Sequence, residues 1–176
     1  MSFKDALAET LRFEGGYVNN IADRGGETNY GITKATARAF GYTGSMRKIP
    51  LETVEAIYRT GYWDINQLDK VDALTSRTAS EVFDCGVNCG PKVAARMLQE
   101  ALNLLNDDAK LYQDLVVDGS IADATLEQLA KVPTKRLDDL LLVLKALRAE
   151  RYLSIVRSRT NQEVFIRGWL RRVFRG

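Results

Sequence analysis

Two carboxylates and a hydroxyl near the start of this 176-residue chain have the types and spacing for acid–base chemistry. Glu14 is followed at once by Gly15 and Gly16, and Asp23 comes after eight intervening residues. Hydrophobic spacing places Glu14 at the end of a helix, aimed at whatever the following loop encloses. Phe13 and Tyr17 flank it with apolar surface, and desolvation raises a carboxyl pKa. A general acid working near neutral pH needs that shift. Asp23 falls on a Gly-rich turn able to fold back over the helix end, and Thr28 follows after four more intervening residues. A protonated glutamate opposite an ionised aspartate, with a hydroxyl to orient water, is the minimum set for splitting a glycosidic bond.

The chain has no histidine. That removes Ser-His-Asp and Cys-His hydrolases and most His-ligated zinc enzymes, so acid–base work falls to carboxylates, Lys, Tyr or Cys. No metal and no cofactor is expected. Cys85 and Cys89 are too few for a disulfide framework, and at one helical turn apart they read as free thiols of a reducing compartment. Hydrophobic residues make up 45% and charged residues 27%, an ordinary globular balance, with a net charge of +2. Met1 to Phe13 carries four charges, so neither a signal peptide nor a membrane span is expected.

The elements that position these groups follow from periodicity. Phe3, Leu7 and Leu11 predict a helix capped by Ser2, with Asp5 at its positive end, closing at Gly15-Gly16. Tyr17 to Ile32 reads as loops around a short hairpin with its turn near Asp23 to Gly26. Thr33 caps a helix to about Phe40, and Pro50 opens another whose apolar face runs to Tyr62-Trp63. Helices are further predicted over 73–85, from Pro91, over 123–129, from Thr134 to about Arg157, and from Gln162 to Phe174. Val116 to Gly119 is a strand-to-turn or loop signal. The fold class is mainly α (α+β), a helical globule with one small β-hairpin beside the N-terminal site.

Phe13-Glu14-Gly15-Gly16-Tyr17, followed by Asp23-Arg24-Gly25-Gly26-Glu27-Thr28-Asn29-Tyr30-Gly31-Ile32-Thr33, resembles the signature of glycoside hydrolase family 108. Ala56-Ile57-Tyr58 through Tyr62-Trp63, Phe83-Asp84, Gly90-Pro91 and Val117-Asp118-Gly119 extend the resemblance, and Gly168-Trp169-Leu170 carries it nearly to the C-terminus. This family comprises N-acetylmuramidases of phage endolysins and secretion systems. It implies a lysozyme-like fold, with a catalytic segment over 1–90 and a peptidoglycan-binding segment over 91–176 packed as one compact unit. It also implies hydrolysis of the β-1,4 bond between N-acetylmuramic acid and N-acetylglucosamine. Glu14 matches the family's catalytic acid, and Asp23 resembles the aspartate of a Glu-eight-Asp-five-Thr triad. Five intervening residues past Asp23 lead to Asn29, one beyond Thr28, and either side chain can hold a water or a sugar hydroxyl.

Glu27, Asn29 and Tyr30 share the loop and are candidates to line a sugar groove; Tyr30 either stacks on a pyranose or packs under the hairpin. Asp84 and Asn88, one turn apart, are candidates to grip N-acetyl groups, and Asn88 reads equally as a helix-ending cap before Gly90-Pro91. Trp63, Trp169 and the Leu-rich helix after Thr134 read as core. From Arg148 to Gly176 there are eight arginines and two glutamates, a net charge of +6. This end is a candidate to touch anionic envelope polymers or a membrane surface, though its stripe of Phe165, Trp169 and Phe174 is expected to dock on the core. The expected partner is the peptidoglycan strand and the expected working form a monomer, with nucleic acid disfavoured by the near-neutral total charge. The expected route is synthesis in the cytoplasm and action on the wall after holin-type release. A non-catalytic, peptidoglycan-binding secretion helper is the competing expectation.

Overall fold

The computed structural model describes residues 2–12, 16–19 and 26–174. Helix α1, Phe3–Leu11, starts in a reciprocal capping box: the Asp5 N–H donates to the Ser2 hydroxyl, and the Asp5 carboxylate accepts from the Ser2 N–H at 2.8 Å. It buries Ala6, Leu7 and Thr10, and the Phe3 ring meets Trp63 and Phe83 edge-on at 5.4 and 5.9 Å. The helix closes at Leu11 with Arg12 as its cap, earlier than the two glycines. The Arg12 N–H turns back to the carbonyls of Glu9 and Thr10, a tightened last turn that satisfies the chain end without glycine.

The β element is larger than the hairpin expected from the sequence. Among the described residues, β1 (Val18–Asn19), β2 (Glu27–Asn29) and β3 (Ile32–Thr33) form an antiparallel sheet in that order. Val18 pairs with Thr28, and Thr28 in turn with Thr33. The extra strand exists because Tyr30 and Gly31 both take positive φ, 49° and 72°, and make a two-residue return between Asn29 and Ile32. Two successive positive φ values match the right-handed twist of a hairpin, but only glycine adopts them at no cost. Tyr30 is held there by the Tyr58 hydroxyl, which donates to its carbonyl at 2.8 Å.

Thr33 caps α2 (Lys34–Ala39), accepting from the Thr36 N–H, and Gly41 at φ 84° follows the helix. A 3₁₀ turn, Met46–Lys48, leads to α3 (Leu51–Tyr58), which continues into a π-helical turn, Arg59–Trp63. That turn rotates Trp63 fully into the core, where its indole N–H donates to Asp69 at 2.9 Å. The single helix expected over 73–85 is instead two, α4 (Leu68–Leu74) and α5 (Ser76–Cys89). Thr75 is extended at φ −159°, and its hydroxyl and that of Ser76 bond to the side chain of Thr78 and the carbonyl of Asp72. Short polar side chains that bond locally compete with the helix ladder, which breaks there.

Gly90, at φ 94°, joins α5 to α6 (Pro91–Leu104). A long loop leads to α7 (Asp123–Lys131), then α8 (Leu137–Ser158) and α9 (Glu163–Val173). One hydrophobic cluster runs from Ala6 through Trp63, Phe83 and Leu98 to Leu144, drawing on both halves of the sequence. The loop before α7 is pinned by Gln99, whose amide donates to Asp118 and to the Ser120 carbonyl while its oxygen accepts from the Gly119 N–H. Gly119 has φ 82°, and a Cβ there would lie 2.8 Å from the Lys92 carbonyl oxygen. Gly119→Ala should therefore destabilise the protein by about 1–3 kcal/mol in urea unfolding, from the left-handed backbone plus the clash.

Candidate active site

Glu14 and Asp23 lie outside the described residues; the elements that frame them do not. The sheet sets Thr28 beside Val18, which follows Glu14 by four residues in the sequence. On β2, neighbouring side chains take opposite faces, and their surroundings separate the loop candidates. Asn29 is buried, donating its amide to the Met46 carbonyl at 2.8 Å and accepting the Tyr30 N–H on its oxygen. Both ends of this side chain hold the hairpin against the 3₁₀ turn. Thr28 is half-buried, and its hydroxyl donates to the Gly26 carbonyl at 3.3 Å, a long bond that leaves its lone pairs available.

Glu27 accepts from the Tyr17 hydroxyl at 3.1 Å and pairs with Lys34 at 3.0 Å, while the Arg47 guanidinium lies 4.4 Å over the Tyr17 ring. The Lys34 ammonium, helped by Tyr17, holds the Glu27 carboxyl below its ordinary 4.5. A depressed carboxyl supports folding above its unfolded pKa and loses that support as pH falls through the folded value. Below about pH 4.5, the protection of the Thr28 amide against exchange, measured relative to its intrinsic rate, should therefore fall ahead of global unfolding, and Lys34→Met should abolish that acid limb.

Tyr30 is 36% exposed, its ring presented at the tip of the β2–β3 return. Tyr62 is half-buried and its ring lies 5.5 Å from that of Tyr58, the residue that holds the Tyr30 backbone. A left-handed tyrosine costs of order 1 kcal/mol and such strain gathers at functional sites. Replacing Tyr30 by Asn, which tolerates the left-handed backbone better, should raise the melting temperature slightly.

Asp84 is not a groove residue. It is 2% exposed, and its carboxylate accepts from Arg148 at 2.7 Å, from Arg172 at 2.8 Å and from the Thr10 hydroxyl at 3.3 Å. Arg148 is itself completely buried and also reaches Glu81 at 2.8 Å and the Tyr152 hydroxyl at 3.1 Å. Burial alone would lower the Arg148 pKa, but the charges of Asp84 and Glu81 more than reverse it, so the guanidinium stays protonated. The reading of α8 as simple core missed this charge, because an arginine within a leucine pattern looks like its solvent face. Asn88 is exposed and donates back to the Asp84 carbonyl at 2.9 Å, and the helix end is closed by Gly90.

The stripe of α9 docks through Ile166, Trp169, Leu170 and Val173 on Tyr152, Ala149 and Cys89. Phe165 stays half-exposed, stacked on Trp169 at 5.9 Å, and Val164 and Phe174 face outward. Cavities of about 400 and 300 Å³ open beside Asn103–Asp114 and between Asn66, Lys92 and Asp118, both away from the hairpin. No helix among the described residues is long and apolar enough to cross a membrane.

Residues 7–90 match the family model for glycosyl hydrolase 108, and residues 93–174 match the one described as "Predicted Peptidoglycan domain". No curated protein matches the chain. Among solved structures, Brucella abortus SagA is similar at 28% identity and a TM-score of 0.73, over 98% of this chain and 90% of that one. With both halves matched and the hairpin motif inside the first, the chain joins a glycosyl hydrolase 108 segment to a peptidoglycan segment, which supports glycoside hydrolase activity directed at peptidoglycan.

Proposed function

We propose that the protein is an N-acetylmuramidase that cleaves the β-1,4 bond between N-acetylmuramic acid and N-acetylglucosamine, with Glu14 as general acid. The observation that carries this reading is the motif pair itself. Glu14-Gly15-Gly16-Tyr17 and Gly25 to Thr33 both fall inside the matched glycosyl hydrolase segment, and Val18, the residue that follows the first, pairs with Thr28 inside the second. Asp23 stays ionised and stabilises positive charge developing on the sugar, or activates water from the opposite face, as its distance from Glu14 dictates. Thr28 orients the water or a sugar hydroxyl. Its partially available hydroxyl suits that role better than Asn29, whose amide is spent inside the fold.

The segment over 1–90 performs the chemistry and that over 91–176 holds the strand, with Tyr30 and Glu27 lining the groove. The arginines on the outer face of α9 add attraction for the anionic envelope, a contribution that screens with salt.

Digestion of purified peptidoglycan tests the bond. Reduction with borohydride should label muramic acid at the new chain ends; label on glucosamine, or release of free peptides, overturns the assignment. Two neighbouring substitutions test the third residue. Thr28→Val should lower turnover at least tenfold with little change in melting temperature. Asn29→Ala should cost about 1–3 kcal/mol of stability by stranding the Met46 carbonyl.

A further inference from the structure

A cavity of about 300 Å³ opens where the two matched segments meet, between the 3₁₀ turn Asp64–Asn66, the first turn of α6 and the loop at Asp118 to Ser120. Its walls are fixed from behind. Gln67 donates to the Ile121 carbonyl at 2.6 Å, Gln99 holds Asp118, Gly119 and Ser120, and Gly119 lets the loop lie directly on the Lys92 stem. Asn66 lines this cavity although it is only 3% exposed. Its amide nitrogen donates to the Pro91 carbonyl at 3.1 Å, and its oxygen takes no bond from any described residue. A buried amide oxygen left without a donor costs stability, so this one is an acceptor presented to whatever enters.

The charges suit a guest that carries both signs. Asp118 Oδ1 accepts from the Gln99 amide and the Ser120 N–H, both at 2.8 Å, which leaves Oδ2 for the cavity that the residue lines. The Gln99 amide and the Ser120 N–H, with the Lys92 charge further off, hold the Asp118 carboxyl below its ordinary 3.8, so it is an anion at neutral pH. Lys92 lines the same cavity and, among the described residues, closes no ion pair with Asp118 or any other carboxylate. It is also the second residue of α6, where a helix leaves N–H groups unsatisfied and its dipole favours an anion. A cation and an anion thus face one small space without joining.

We propose that this cavity binds the free α-amino-acid end of a peptidoglycan stem peptide, the ammonium and carboxylate that the side chain of diaminopimelate carries on one carbon. The ammonium meets Asp118 Oδ2 and the Asn66 oxygen, and the carboxylate meets Lys92 and the start of α6. Ile65, 61% exposed at the rim, offers apolar contact to the methylene stem. A lone anion is repelled by Asp118 and a lone cation by Lys92, so the pair selects the zwitterion. Acylation of that nitrogen in a cross-link removes the ammonium, so the cavity reads stems that are not cross-linked. The inference rests on the proposed function only in taking peptidoglycan as the polymer, and it asks nothing of Glu14.

The full chain, labelled with nitrogen-15, should be titrated with the tripeptide N-acetyl-L-Ala-γ-D-Glu-diaminopimelate, whose side-chain end supplies its sole ammonium. Saturable shifts of the Lys92, Gly119 and Ser120 amides are expected. Binding should be about tenfold tighter than for the same peptide ending in lysine, which keeps the ammonium but lacks the carboxylate beside it. Lys92→Met keeps the stem packed on Gly119 and should bring the two peptides within about twofold of each other. Asp118→Asn keeps an oxygen for Gln99 and Ser120 and should weaken both peptides about tenfold. Both side chains are exposed, so the variants should melt close to the wild type. Equal wild-type affinity for the two peptides, shifts confined to other amides, or the same shifts with chitotetraose alone overturn the proposal. Peptide binding that fails while borohydride still labels muramic acid removes this site and leaves the muramidase reading; binding by a chain that opens no such ends does the reverse.

Discussion

Glu14→Gln should reduce peptidoglycan hydrolysis by about 10³-fold or more, while the circular dichroism spectrum stays that of the wild type. The amide keeps the size and hydrogen-bonding reach of the carboxyl but cannot release a proton to the leaving oxygen. General acid catalysis typically supplies 10²–10⁴-fold, so little turnover should survive its loss. Turbidity loss of purified cell walls measures the effect, and unchanged binding to insoluble peptidoglycan separates lost chemistry from lost affinity. A fully active variant would exclude Glu14 as the acid. A protein whose wild type binds walls without dissolving them would instead be the secretion helper.

The second large effect lies far from the hairpin, in the buried charges between α1, α5, α8 and α9. Asp84→Asn should cost about 3–5 kcal/mol, because it leaves the guanidiniums of Arg148 and Arg172 inside the fold without their main counter-charge. For a chain of this size that lowers the melting temperature by roughly 10 °C or more. The exposed pair Arg157–Glu150, with side chains 67% and 62% accessible, offers the control. Breaking it should change stability by under about 1 kcal/mol.

Glu81 should behave differently from Asp84, although both bond to Arg148. Burial raises the Glu81 carboxyl pKa despite the guanidinium beside it. A raised carboxyl favours the protonated form in the fold, so its ionisation removes stability as pH climbs from the unfolded value through the folded one. Glu81→Gln should therefore cost less than half of what Asp84→Asn costs at pH 7. Urea titrations of both variants at pH 5 and 7 compare them directly.

What the sequence makes legible is what depends on neighbours along the chain. Ser2 and Asp5 announce the capping box that starts α1, Thr33 the start of α2, and Pro91 the start of α6. The hairpin motif was readable as a motif, but β3 was not, since a tyrosine in a left-handed turn is held by Tyr58 from another helix. Asp84 shows the same limit more sharply. Next to Asn88 and Gly90 it looks like a polar residue on a cleft wall, and only the approach of Arg148 and Arg172, 64 and 88 positions away, makes it a core charge. Thr75 carries a local signal of its own: its hydroxyl and that of Ser76 break a helix that hydrophobic spacing alone would continue.

The matched segments meet near Gly90, an inviting place to cut and recombine wall-degrading enzymes. Yet Asp84 belongs to the first segment and both of its guanidiniums to the second. A chimera that grafts a foreign targeting module after Gly90 would expose a bare anion and half an apolar seam, and should precipitate unless the donor brings two arginines of its own to the same depth.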